Sequence, residues 1–170
     1  MKITVLNGSP RLNGDTAKMI KQFKETAEGC GHEVGIFDVC HMNIKGCLAC
    51  EYCHERNKGV CIQKDDMEKI YEALKKTEML ILASPIYYHN LSGQLKCVID
   101  RFYSILYPEA PECLKKTAMF LSSGDPQMYD GARFSYEGDF LGYLSLQDCG
   151  IFTNHDEDVY KKIEAMAKEL

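Results

Sequence analysis

The chain has 170 residues, 45% of them hydrophobic and 26% charged, with a formal net charge of −5. That length suits one domain burying roughly 70% of its unfolded surface, and an acidic chain without a basic stripe is not expected to bind nucleic acid. No apolar stretch reaches the ~20 residues of a membrane span, and Met1-Lys2 runs straight into the first strand, so neither a membrane anchor nor a signal peptide is expected.

The apolar strand Ile3–Leu6 leads directly into the turn GSPRLNGDT, Gly8 to Thr16, and a helical pattern follows over Thr16–Glu28, stopped by Gly29 and Gly31. Strand, Gly- and Ser-containing turn and helix gather backbone N–H groups and the positive end of a helix dipole around one anion. Arg11 adds a fixed positive charge, and Ser9 and Thr16 add hydroxyls, a set suited to a terminal phosphate. Two familiar phosphate loops do not fit. G-x-x-x-x-G-K-[ST] fails because Gly8 and Gly14 lie six apart and Asp15 stands where the lysine belongs, and G-x-G-x-x-G is absent. Asn7, not a nucleophilic cysteine, sits at the mouth of the turn, so a bound phosphate is expected as a handle and not as a substrate. The plainer reading of the same residues is a Gly/Pro turn before an N-capped helix.

Further strands are expected at Glu33–Val39, Met79–Ala83, Thr117–Leu121 and Gly150–Thr153. The runs MLILA and TAMFL are continuously apolar, as in strands buried on both faces of a parallel sheet. Helices are expected at Asp65–Lys76 with Asp65 as N-cap, at Ser92–Tyr103, within Tyr129–Leu146, and at Asp156–Leu170. Five strands alternating with five helices predict a doubly wound α/β domain, a parallel sheet with helices on both faces. In such a sheet the ligand lies outside the carboxyl ends of the strands. The loops Asn7–Thr16, Ser84–Leu91 and Ser122–Gly131 leave that edge and are expected to converge. Tyr87, Tyr88 and His89 fall in the second loop, the tyrosines either as turn aromatics or against a planar ligand. Leu95, Val98, Ile99 and Phe102 follow at helical spacing and are expected in the core.

GSPR-x-x-G-x-T after the first strand and SP-x-Y-x-x-x-x-S-x-x-L-K-x-x-x-DR after the third resemble the flavodoxin-like NAD(P)H-dependent FMN reductases over about residues 1–125. The resemblance implies FMN as cofactor, its phosphate held by Ser9, Arg11, Asn13 and Thr16. Pro85, Ile86, Tyr87 and Tyr88 would line the isoalloxazine ring, and Ser122, Ser123 and Gly124 would meet its far edge. No catalytic side chain is implied, because the cofactor carries the reaction. NAD(P)H or a reduced electron carrier is the implied donor, and a homodimer or homotetramer the implied assembly. Asp15 lies where the family more often has a neutral polar residue, so its carboxylate is expected to turn away from the phosphate and cap the helix.

Nine cysteines without a secretory signal read as metal, cluster or thiol chemistry in the cytoplasm, not as a disulfide framework. Four of them, Cys47, Cys50, Cys53 and Cys61, are spaced C-x2-C-x2-C-x7-C in an insertion at about 45–62. Thiolates at successive i, i+3 steps can wrap one small polynuclear centre, with the fourth arriving after a Gly-bearing loop. Zinc usually takes two separated pairs, so the compact spacing favours cubane ligation, with zinc and free or disulfide-forming thiols as alternatives. The motif also resembles that of the iron–sulfur flavoproteins, a branch of the same family, which implies a [4Fe–4S] cluster here. His54 is a spare donor beside it, and Cys30, Cys40, Cys97, Cys113 and Cys149 are expected as core thiols. The expected function is transfer of electrons between a reduced donor and a small-molecule or protein acceptor by an FMN-binding redox protein. A cluster-free NAD(P)H:FMN or quinone reductase, and a non-catalytic zinc or thiol-switch module, are the alternatives.

Overall fold

A computed structural model describes residues 1–170. Strands β1 (Lys2–Asn7), β2 (Glu33–Asp38), β3 (Met79–Tyr87), β5 (Lys116–Ser122) and β6 (Gln147–Thr153) are all parallel, and a short β4 (Asn90–Leu91) pairs antiparallel with the end of β3. The order β2-β1-β3-β5-β6 is the doubly wound flavodoxin-like arrangement, whose order reverses beside β1 and β3. Around the sheet lie α1 (Asp15–Gly29), α2 (Tyr52–Glu55), α3 (Met67–Leu74), α4 (Gly93–Arg101), α5 (Tyr103–Leu106), α6 (Asp130–Tyr136) and α7 (Val159–Lys168). No helix is long and apolar enough to cross a membrane.

Alternate strand residues serve two cores. Ile3, Val5, Met79, Ile81, Ala118 and Phe120 pack with Met19, Ile20 and Phe23 of α1 and Ile163 of α7. Leu6, Leu80, Leu82, Met119 and Leu121 pack on the other face with Ile70 and Leu74 of α3 and Leu95 and Val98 of α4. Covering both faces is what requires the unbroken apolar runs in β3 and β5.

Several boundaries differ from expectation. Ser84–Tyr87, expected as loop, continues β3: Ser84 and Pro85 pair with Leu121 and Ser122, and Ile86 and Tyr87 turn back onto β4. Pro85 is accommodated there because the ladder is ending. The helix expected from Asp65 begins at Met67 with Asp66 before it, while the Asp65 carboxylate accepts both from the Met67 N–H (3.2 Å) and from Arg101. The expected Ser92–Tyr103 helix ends at Arg101 and restarts as α5, and α6 passes into a π-helical stretch over Glu137–Tyr143. α7 starts at Val159 because Asp156 folds back to accept from the Thr153 N–H (2.7 Å) and hydroxyl (2.8 Å).

Candidate functional site

Gly8 begins the first loop flush against the start of α4. A Cβ there would fall 2.6 Å from Ser92 Oγ and 2.8 Å from Leu95 Cβ, so only glycine fits this close approach. Asn7 then shapes the arch. Its Nδ2 donates to Asp38 Oδ1 (2.8 Å), its Oδ1 accepts from Ser9 N (3.0 Å), and Ser9 Oγ accepts from Arg11 N (3.2 Å). With the Ser9, Arg11 and Gly14 N–H groups already bonded, the backbone donors left for an anion are those of Leu12 and Asn13 in the loop and of Asp15, Thr16 and Ala17, which open α1 with no carbonyl before them. Arg11 and Asn13 are exposed on the same loop, and Thr16 is buried. Asp15 does turn away, but toward Lys18 Nζ (2.9 Å) and not onto the helix end; Gly14 is the N-cap and no side chain closes it.

The three loops touch one another. Thr16 Oγ1 and Ser122 Oγ share a hydrogen bond of 2.7 Å, joining the first to the third. Gly131 joins the third to the second, for a Cβ there would lie 2.4 Å from the His89 carbonyl oxygen. At the second loop's tip Tyr88 (φ 49°) and His89 (φ 63°) are left-handed, which leaves Tyr88 fully exposed and stores strain of the kind found where a ligand is clamped. Tyr87 is half-exposed, and Pro85 and Ile86 are half-buried beneath the tip. Ser123 is held by Asn154, which accepts from its N–H (2.8 Å), donates to its carbonyl (3.0 Å) and accepts from Tyr129 Oη (2.8 Å). Ser9, Arg11, Asn13, Tyr88, Ser123 and Gly124 lie on loops at the carboxyl edge of the sheet, and Thr16 at the start of α1, Pro85, Ile86 and Tyr87 at the end of β3 and Ser122 at the end of β5 adjoin them. Sequence reasoning missed Asn7 as an organiser, and Asp38 and Asn154 altogether. The available signal was a polar amide or carboxylate at the end of β1, β2 and β6.

The cysteine segment is anchored from behind by Arg101, which is 2% exposed. Its Nη1 donates to Asp65 Oδ2 (2.8 Å) and the Lys45 carbonyl (3.0 Å), its Nη2 to Asp65 Oδ1 (3.2 Å), and its Nε to Tyr71 Oη (3.2 Å). Burial opposes both charges, yet the paired hydrogen bonds outweigh it, holding the Asp65 carboxyl below its ordinary value and Arg101 above its own. Asp65 also accepts from the N–H groups of Lys45 (3.3 Å) and Met67 (3.2 Å), tying the start of the insertion to α3.

Left-handed turns at Ala49 (φ 50°) and Glu51 (φ 55°) fold the segment on itself. Cys47, Cys50, Cys53 and Cys61 then line one hollow, which Arg101, Tyr103 and Ser104 also line. Cys53 is buried, Cys61 half-buried, and Cys47 and Cys50 exposed. Burial pushes the Cys53 thiol up, and the neighbouring Cys61 and Cys47 push it further. No group of three or more His, Cys, Asp or Glu side chains in the chain is placed to hold a single metal ion. Four thiolates around zinc would stand about 3.8 Å apart, given Zn–S bonds of ~2.3 Å. A polynuclear centre, with one thiolate on each iron, spreads its ligands over a wider cage, and soft thiolates sharing a hollow without meeting suit that set. His54 is otherwise engaged: its Nε2 donates to the Tyr103 carbonyl (2.7 Å), and its ring packs on that of Tyr103 at 4.4 Å. Tyr103 Oη donates to Glu51 Oε2 (2.8 Å), and with its phenol pushed up to about 12 it keeps this proton at neutral pH.

Of the remaining cysteines, expected as core thiols, none is fully buried and only Cys149 packs against a hydrophobic core. Cys30 is exposed, and Cys40, Cys97, Cys113 and Cys149 are half-buried. The core space is filled by Leu, Ile, Met and Phe, leaving thiols to donate weakly at element ends, as Cys40 does to the Gly8 carbonyl (3.1 Å).

A family model described as NADPH-dependent FMN reductase matches residues 1–137. An iron-sulfur flavoprotein of Methanocaldococcus jannaschii is 41% identical over 106 residues, covering 62% of this chain and 52% of that protein. One from Methanosarcina thermophila is 36% identical over 101 residues, covering 59% and 52%. The chain thus spans about half the length of these curated relatives. Among solved structures, the NAD(P)H:quinone oxidoreductase from Methanothermobacter marburgensis has a TM-score of 0.72 at 17% identity, covering 99% of this chain and 93% of that one, a likeness of fold. With its flavodoxin-like sheet in the matched region, the chain belongs to the NADPH-dependent FMN reductase family.

Proposed function

We propose that this chain is an FMN-binding redox protein of the iron–sulfur flavoprotein type. It moves electrons between NAD(P)H, or another reduced carrier, and a small-molecule or protein acceptor. The observation that carries this reading is the meeting of three loops at a helix N-terminus, in the same molecule as a hollow lined by four thiols. Bound FMN accepts electrons in pairs and releases them singly, and a [4Fe–4S] centre passes one at a time.

The chain's own residues bind and orient. Ser9, Arg11, Asn13, Thr16 and the open N–H groups of α1 hold the phosphate. Pro85, Ile86, Tyr87 and Tyr88 line the ring, and Ser122, Ser123 and Gly124 bound its far edge. Asn7 with Asp38, and Asn154, keep the loops in register for that task. Cys47, Cys50, Cys53 and Cys61 are the ligand set for the cluster. Residues 1–170 act as one domain carrying the cysteine insertion at about 45–62, working in the cytoplasm as a homodimer or homotetramer.

The test is an absorption spectrum of protein purified without oxygen, with flavin, iron, sulfide and zinc quantified on the same sample. FMN with about four iron and four sulfide per chain is expected. FMN alone would leave a cluster-free reductase. Stoichiometric zinc without FMN would overturn the redox reading in favour of a binding module. In the same protein Arg11→Ala should weaken FMN far more than riboflavin, and equal loss of both would remove Arg11 from the phosphate site.

A further inference from the structure

A cavity of about 640 Å³ lies away from the flavin loops. It lies between α3, the start of the Tyr107-Pro108 segment after α5, and the stretch from Cys53 to Val60, and it shares no residue with the three loops. Its size falls within the range of small-molecule sites, about 300–1,000 Å³. Cys53 and Ser104 line both this cavity and the four-cysteine hollow, so the two spaces share a wall.

The lining has a definite chemistry. His54, Tyr71 and Tyr107 supply rings, and the His54 and Tyr107 rings meet edge to face with centroids 5.3 Å apart, forming a corner for a flat group. Of the charges, Lys75 is bonded to Glu72 (2.6 Å) and Glu68 to Lys64 (2.9 Å). Lys58 makes no ion pair, so in a lining that carries two lysines and two glutamates it is the charge left free to meet a ligand. Its position is fixed by backbone. Lys58 (φ 47°) and Gly59 (φ 87°) are both left-handed, Gly59 N donates to the Cys53 carbonyl (2.7 Å), and a Cβ on Gly59 would press to 3.0 Å from the Ser104 carbonyl. That turn sets the Lys58 backbone at the cavity rim, with the residue exposed.

We propose that this cavity binds a small aromatic anion, its ring against the His54–Tyr107 corner and its charge met by Lys58. A ligand seated there touches the Cys53 side of the cysteine hollow. The cavity is therefore a second port, apart from the flavin, and its part in electron flow rests on the proposed function while the binding itself does not.

The test uses flavin-loaded protein titrated with 2-naphthoate and with its neutral counterpart 2-naphthamide, read by ligand-observed NMR and calorimetry. One saturable naphthoate site per chain is expected, with no FMN released. Lys58→Ala should weaken naphthoate at least fivefold and leave naphthamide unchanged, and Tyr107→Ala should weaken both. No saturable binding would overturn the proposal, as would equal affinity in all three proteins, or naphthoate binding that displaces FMN. Flavin and iron content, measured on the same samples, reports separately on the proposed function, so either reading can fail without the other.

Discussion

Removing the Arg101 guanidinium should be the most damaging single change outside the hydrophobic core. Arg101→Met nearly preserves the volume but leaves the Asp65 carboxylate, 5% exposed, buried without its partner. It also withdraws the donors to Lys45 and Tyr71. Breaking one side of a buried, hydrogen-bonded pair costs about 3–5 kcal/mol. For a chain of this length that corresponds to a fall in Tm of roughly 6–20 °C, at ~2–4 °C per kcal/mol. Urea unfolding followed by circular dichroism measures the loss, and Arg101→Lys, which keeps the charge without the fork, should fall between. The double variant Arg101→Met with Asp65→Leu should recover much of the loss, because no charge is then left unpaired. A loss below about 1 kcal/mol for Arg101→Met, or a double variant no better than the single, would refute the reasoning. The pair also predicts a pH dependence. Because the Asp65 carboxyl is depressed in the folded state, its contribution is complete above the unfolded value near ~3.9 and is lost as pH falls through the lower folded value. Below about pH 4, wild-type stability should therefore drop more steeply than that of Asp65→Asn.

Gly131→Ala forces a Cβ to 2.4 Å from the His89 carbonyl oxygen; the expected loss is about 1–3 kcal/mol by urea unfolding, with weaker retention of FMN as the second loop is displaced. Asn154→Ala removes three hydrogen bonds that hold Ser123 and Tyr129, so FMN should dissociate several-fold faster while the circular dichroism spectrum is kept; an unchanged off-rate would detach the third loop from the flavin. Asp15→Asn loses only an exposed pairing with Lys18 and should leave FMN affinity equal or slightly tighter, whereas a large loss would give the carboxylate a ligand role. Changing Cys47, Cys50, Cys53 or Cys61 singly to Ala should remove iron while FMN stays bound; retained iron in Cys53→Ala would count against that ligand set.

What could be read along the chain is local in origin. A strand running into GSPRLNGDT and then a helix is specified by residues within a few positions of one another, as are the apolar runs of β3 and β5 and the cysteine spacing. From these followed the doubly wound sheet, the carboxyl edge proposed for the ligand, and the three loops that the structure brings into contact. What only tertiary structure decided depends on pairs far apart in sequence. Asp65 reads as a helix cap, and its carboxylate does accept from the Met67 N–H, but only the fold brings Arg101, 36 positions on, to pair with it. Asn154 is an unremarked polar residue until β6 carries it beside Ser123, 31 positions back. The scattered cysteines read as core thiols because their neighbours are apolar, yet burial is settled by which face an element turns inward, and none of those five is fully buried. Period and turn chemistry act over one or two turns of chain, whereas burial, desolvation and buried ion pairs arise only when distant segments close on one another.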